Sequence, residues 1–102
     1  MSIPATDRVA SALSLLREGK ATEAETLLQE EIAANPTSGT AFQYLGIART
    51  QRGDTNGGIA ALQEAARLLP GNAGVAYNLG AALMQENRLS EAPTARSSAV
   101  TL

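Results

Sequence analysis

The sequence predicts an all-α chain of stacked helical hairpins, and three observations carry that prediction. Its punctuation recurs at one period: Leu45-Gly46 and Leu79-Gly80 are separated by the same interval as Pro36 and Pro70, which marks an array of supersecondary units. The segments between these signals have helical spacing, as in Phe42, Leu45 and Ala48, or Ile59, Leu62, Ala65 and Leu69, with no strand-type alternation. Hydrophobic residues make up 44% of the chain but aromatics only 3%, and alanine is the most frequent residue, which suits helices that approach closely over small side chains.

Taken in order, helices are expected at about 6–18, 23–35, 39–52, 56–69, 73–86 and 91–101. Gly19, Gly53 and Asn87 recur at the same period; glycine and asparagine tolerate the left-handed backbone that ends a helix, so each is expected to stop the first helix of its unit. Thr22, Asn56 and Ser90 follow at matching positions, with side chains able to accept from the free N–H groups that open a second helix. Thr22 with Glu25 also has the spacing of a capping box. The small residues Ala24, Gly58 and Ala92 allow the two helices of a hairpin to come close. Pro36 and Pro70 then prevent the second helices from continuing, and Pro93 falls in a first turn, where proline is tolerated.

Bulk properties narrow the function. At 102 residues the chain has room for one domain. It lacks cysteine and histidine, which removes thiolate sites, disulfides and the commonest catalytic base and metal ligand; no metal or cofactor is expected. A net charge of −2 with scattered basic residues offers no stripe for nucleic acid. No apolar run has the length of a membrane span or the form of a secretory signal, so the expectation is a soluble, cytoplasmic protein. Residues 1–38 carry three basic and six acidic groups, which makes the first unit the acidic one. The carboxylate pairs Glu23/Glu25 and Glu30/Glu31 read as a solvated helix face rather than an acid–base site. Asn56-Gly57-Gly58 follows a helix and lacks the Lys-Ser/Thr of a phosphate loop, so it reads as an inter-helix turn. With no base to activate a hydroxyl, no catalytic residue is expected.

These residues together resemble the tetratricopeptide repeat family, whose 34-residue unit carries an aromatic, Leu-Gly, a second large residue, a small residue, an apolar residue and a closing proline. The middle unit fits best, with Phe42, Leu45-Gly46, Gly58, Leu62, Ala65 and Pro70; Arg49 stands where the pattern has a large aromatic or apolar group. The first unit keeps Ala12, Leu15, Gly19, Ala24, Leu28 and Pro36 but departs at Arg8 and Ser11; the third keeps Leu79-Gly80 and Leu83 but departs at Ala76 and Arg96. The resemblance covers residues 5–102, after a flexible N-terminus at 1–4. It implies a right-handed α-solenoid of three stacked helix-turn-helix units, about six helices, with repeats at about 5–38, 39–72 and 73–102.

In that family the first helix of each pair lines a concave groove. The resemblance therefore implies a protein-interaction module whose groove holds a peptide or helical segment of a partner. It places Thr6, Val9 and Leu13, then Gln43, Tyr44, Ile47 and Gln51, then Tyr77, Asn78, Ala81 and Gln85 on that side. None is charged. Tyr44 and Tyr77 are the candidate anchors, with packing between helices as the competing role for each. Family members that grip an acidic tail use basic residues, whereas Val9, Leu13, Tyr44, Gly74 and Asn78 hold the comparable places here, so no carboxylate clamp is expected. The alternative function is a scaffold that self-associates through the exposed ends of the stack, or a piece of a longer repeat protein.

Overall fold

A computed structural model of the chain describes residues 5–90. They form five α-helices and, among the described residues, no strand: α1 (Ala5–Arg17), α2 (Ala21–Ala34), α3 (Gly39–Gln51), α4 (Thr55–Leu68) and α5 (Ala73–Ser90). Helices α1 and α2 make one hairpin and α3 and α4 a second; α2 packs on α3, and α5 packs on α4. The first four helices begin and end within two residues of the sequence expectation.

The two hairpin turns are built alike. Gly19 adopts φ +78° after α1, its N–H donating to the Leu16 carbonyl at 3.1 Å while the Lys20 N–H reaches back to Leu15 at 2.8 Å. Gly53 does the same after α3, with φ +96°, its own N–H donating to Thr50 at 3.1 Å and that of Asp54 to Arg49 at 2.8 Å. A left-handed glycine with this pair of back-bonds satisfies carbonyls that the helix end leaves free.

The helix starts correct the expected caps. Asp54, not Asn56, caps α4, its carboxylate accepting from the Gly57 N–H at 3.0 Å. Helix α2 begins after Lys20 with no side-chain cap, which puts Thr22 inside the first turn. The Thr22/Glu25 capping box does not form, because Glu25 is drawn to arginines of the next hairpin. Ser38 and Asn72, one period apart, cap α3 and α5 by accepting from Ala41 and Val75 at 3.2 and 3.0 Å.

Helix α5 departs furthest from expectation. It runs through Asn87 and Ser90 instead of stopping and restarting there. Asparagine only tolerates the left-handed conformation that glycine adopts freely, and no described non-glycine residue has positive φ. The expected helix at 91–101, with Ala92, Pro93 and Arg96, lies outside the described residues.

Small residues set the spacing within each hairpin. Ala12 and Ala24 are fully buried in the first. In the second, a Cβ on Gly46 would lie 2.5 Å from Leu62 Cγ and 2.9 Å from the Gly58 carbonyl, and one on Gly58 would lie 2.8 Å from the Gly46 carbonyl. The core runs from Leu16 and Leu28 through Leu45 and Ala48 to Leu62, Ala65, Val75 and Ala82, all buried. At Gly80, by contrast, a Cβ would meet no described atom within 4 Å, so the described residues make no close approach there.

Charge pairs fill the places where the sequence leaves its own pattern. Arg8 meets Glu31 at 2.6 Å, and these two occupy the places that Phe42 and Ala65 hold one period later. Glu25 on α2 accepts from Arg49 at 2.9 Å and from Arg52 at 2.6 Å, both in the neighbouring hairpin. Glu25 and Glu31 are only 8% and 2% exposed, so the reading of these two as a solvated face is corrected; Glu23 and Glu30 do face water. Hydrogen bonding from Arg52 holds the Glu25 carboxyl below its ordinary value, against the opposing effect of burial, with Arg49 adding to the shift.

Candidate functional site

The sequence-selected residues divide into three groups by helix. On α1, Val9 and Leu13 are half-buried; on α3, Gln43, Tyr44 and Ile47 are half-buried and Gln51 is exposed; on α5, Asn78 is half-buried while Tyr77, Ala81 and Gln85 are exposed. Five of them meet. Ile47, Gln51, Asn78, Ala81 and Gln85 line a cleft of about 220 Å³ between α3 and α5, together with Thr50, Ala82 and Leu62. Leu62 comes from α4 and is buried, so apolar surface lies beneath a rim of amides and a hydroxyl.

The other candidates lie outside this cleft. Tyr44 packs against the core cluster, as Ile47 also does, so Tyr44 takes much of the structural role weighed for it. Tyr77 is 76% exposed and shares the open face of α5 with Ala76, Gly80 and Met84. The Gln43 amide nitrogen sits 3.2 Å from where a Cβ on Gly74 would be, beside the start of α5. Gln51 donates to the Leu16 carbonyl at 3.2 Å and so ties α3 to the end of α1.

Three cleft residues are not among those selected from the sequence. Thr50 lies one turn beyond Ile47, and Ala82 one turn beyond Asn78, so the helical neighbour rule could have found both. Leu62 carries no such signal, because it belongs to a second helix and reaches the cleft from below.

None of the described lining residues is ionisable, so these residues can bury an apolar group and exchange hydrogen bonds through amides but supply no acid or base. Among the described residues no group of three or more His, Cys, Asp or Glu is placed to hold a metal ion. No described helix is long and apolar enough to cross a membrane.

Residues 49–94 match the model of the tetratricopeptide repeat. The match supports the tetratricopeptide repeat assignment for that part of the chain. The matched span takes in α4, α5 and every residue of the cleft except Ile47, so the tetratricopeptide repeat signal and the candidate site coincide. A comparison with curated proteins finds no match.

Proposed function

We propose that the protein is an interaction module that holds a peptide or helical segment of a partner protein along the groove formed by α1, α3 and α5. The family is one of protein-interaction repeats and is typically non-catalytic. The observation that carries the groove reading is the α3–α5 cleft, where an apolar floor and a ring of uncharged hydrogen-bonding side chains meet on one surface. Val9, Leu13, Gln43, Tyr44 and Tyr77 extend this surface along the helices on the same reading, in which the repeats occupy about 5–38, 39–72 and 73–102.

The test is selection of binders from a displayed random-peptide library, followed by amide-shift mapping on the isotope-labelled chain. Shifts concentrated on α1, α3 and α5, and weakened binding by Asn78→Ala with helicity intact, support the reading. Binders that map to the outer faces of α2 and α4, or no binders, overturn it.

Self-association is the second reading, and one observation favours it: Tyr77, Leu83 and Met84 are large apolar side chains left 76%, 45% and 59% exposed on one helix. Sedimentation equilibrium of the parent and of Met84→Lys tests it. A dimer in the parent that Met84→Lys dissociates supports this reading, and a monomer at every concentration removes it.

A further inference from the structure

The chain contains two versions of the same seam between successive first helices, and they are filled differently. Where α1 meets α3, the seam is occupied by the protein's own side chains: Leu16 is buried, and Tyr44 and Ile47 pack against the core. One period later, where α3 meets α5, the same three places hold Thr50, Asn78 and Ala81. The floor is unchanged in kind, since Leu28 and Leu62 are equivalent and both buried. All three replacements are smaller, and the cleft of about 220 Å³ opens along this second seam.

The hydrogen bonding opens in parallel. Gln51 closes the first seam by donating to the Leu16 carbonyl at 3.2 Å. Gln85 stands one period on, opposite Thr50 across the cleft, yet it makes no hydrogen bond to a described residue, and neither does the Asn78 side chain. Among the described residues, then, two amides at the rim of an apolar gap are without a hydrogen-bond partner, each able to donate and accept.

The filled seam shows what chemistry suits the open one: an aliphatic or aromatic side chain without charge. A charged side chain entering the cleft would lose water and meet no counter-charge on any described lining residue. We propose that the α3–α5 cleft is an anchor pocket for one leucine- or phenylalanine-sized side chain from an uncharged segment of a partner protein. The Asn78 and Gln85 amides bond the segment's backbone on either side of the anchor. The proposal rests on the groove reading above and narrows it to one pocket and one class of residue.

The test titrates N-acetyl-leucine N-methylamide and its phenylalanine, aspartate and lysine analogues into the labelled full chain, followed by NMR. The leucine and phenylalanine compounds shift the side-chain amides of Asn78 and Gln85 and the methyls of Ile47 and Ala81 saturably, and the two charged compounds bind at least tenfold more weakly. Ala81→Ile and Asn78→Tyr, which write the filled seam into the open one, abolish the shifts at Gln85 and Ile47, the reporters both variants keep, while melting temperature holds or rises. Equal response to the charged compounds, shifts insensitive to both variants, or no shift at Asn78 and Gln85 overturns the proposal. Its failure is separable from that of the groove reading: a library-selected peptide that maps to α1, α3 and α5 and binds Ala81→Ile as tightly as the parent removes the anchor pocket and leaves the groove.

Discussion

At the residue scale, two glycines that share one place in the repeat face different surroundings. Gly46 lies where a Cβ would press on Leu62 Cγ at 2.5 Å and on a backbone carbonyl that cannot swing away. Gly46→Ala should therefore lower stability by about 1–3 kcal/mol through overpacking. Gly80 has open space around its Cβ direction among the described residues, so Gly80→Ala should raise stability by about 0.5–1 kcal/mol, the gain expected on removing a helix-interior glycine. Thermal melts of the two variants decide both claims, and similar losses in both would mean that Gly80 is also tightly packed in solution. Thr55 poses a related question. Its hydroxyl is buried with no hydrogen-bond partner among the described residues, in a residue only 3% exposed, at the place where the first hairpin has buried Ala21. Thr55→Val keeps the shape and removes the unsatisfied oxygen, and should raise the urea midpoint by the equivalent of about 1 kcal/mol.

At the element scale, the hairpin is the unit that the sequence exposes most plainly. Gly19 and Gly53 are legible because a left-handed turn needs glycine, and Pro36 and Pro70 because proline cannot extend a helix; all four mark ends that the structure confirms within two residues. Asn87 misleads because asparagine permits a stop without requiring one. The cap at Asp54 is hidden by neighbouring Asn56, an equally able acceptor. In the sequence, Arg8 looks like a departure from the pattern of the repeat and Glu31 like half of an unrelated carboxylate pair on a solvated face. Folding shows the two to be one departure, since each stands where the next hairpin has Phe42 or Ala65 and the two side chains meet at 2.6 Å. The cleft is half legible for a similar reason: residues on first helices can be chosen by period, but Leu62 enters from another element. The paired departure makes a prediction at this scale. Glu31→Ala should cost about 1–3 kcal/mol by leaving Arg8 without its partner. Arg8→Phe with Glu31→Ala, which copies the second hairpin, should recover parent stability or exceed it. A double variant less stable than Glu31→Ala alone would show that the ionic pair sets the packing of this hairpin.

At the scale of the whole molecule, the stack holds together only as well as its junctions, because each hairpin touches only its neighbours. The junction of the first hairpin with the second combines apolar packing with Glu25, which receives Arg49 of α3 and Arg52 just beyond it. Arg49 also donates to the Gly57 carbonyl, so a residue that breaks the family pattern links three helices. Arg52, then Arg49, keep the Glu25 carboxyl below its ordinary value. A carboxylate with a depressed folded-state pKa contributes stability that is complete above its unfolded value, near about 4.3, and that disappears as pH falls through the folded value. Stability should thus hold from neutral pH down to about pH 5 and then decline with acid. Glu25→Gln cannot ionise; it should lose about 1–2 kcal/mol at pH 7, less than for a sealed ion pair because both arginines can reach water, and should show a shallower decline below pH 5. Glu64 is also held low, by Arg67 on the surface, and titrates in both proteins, so the difference between their urea curves at pH 7 and pH 3.5 reports Glu25 alone. Parallel losses in parent and variant would mean that the junction is held by its apolar contacts and that the two arginines serve only to satisfy a buried carboxylate.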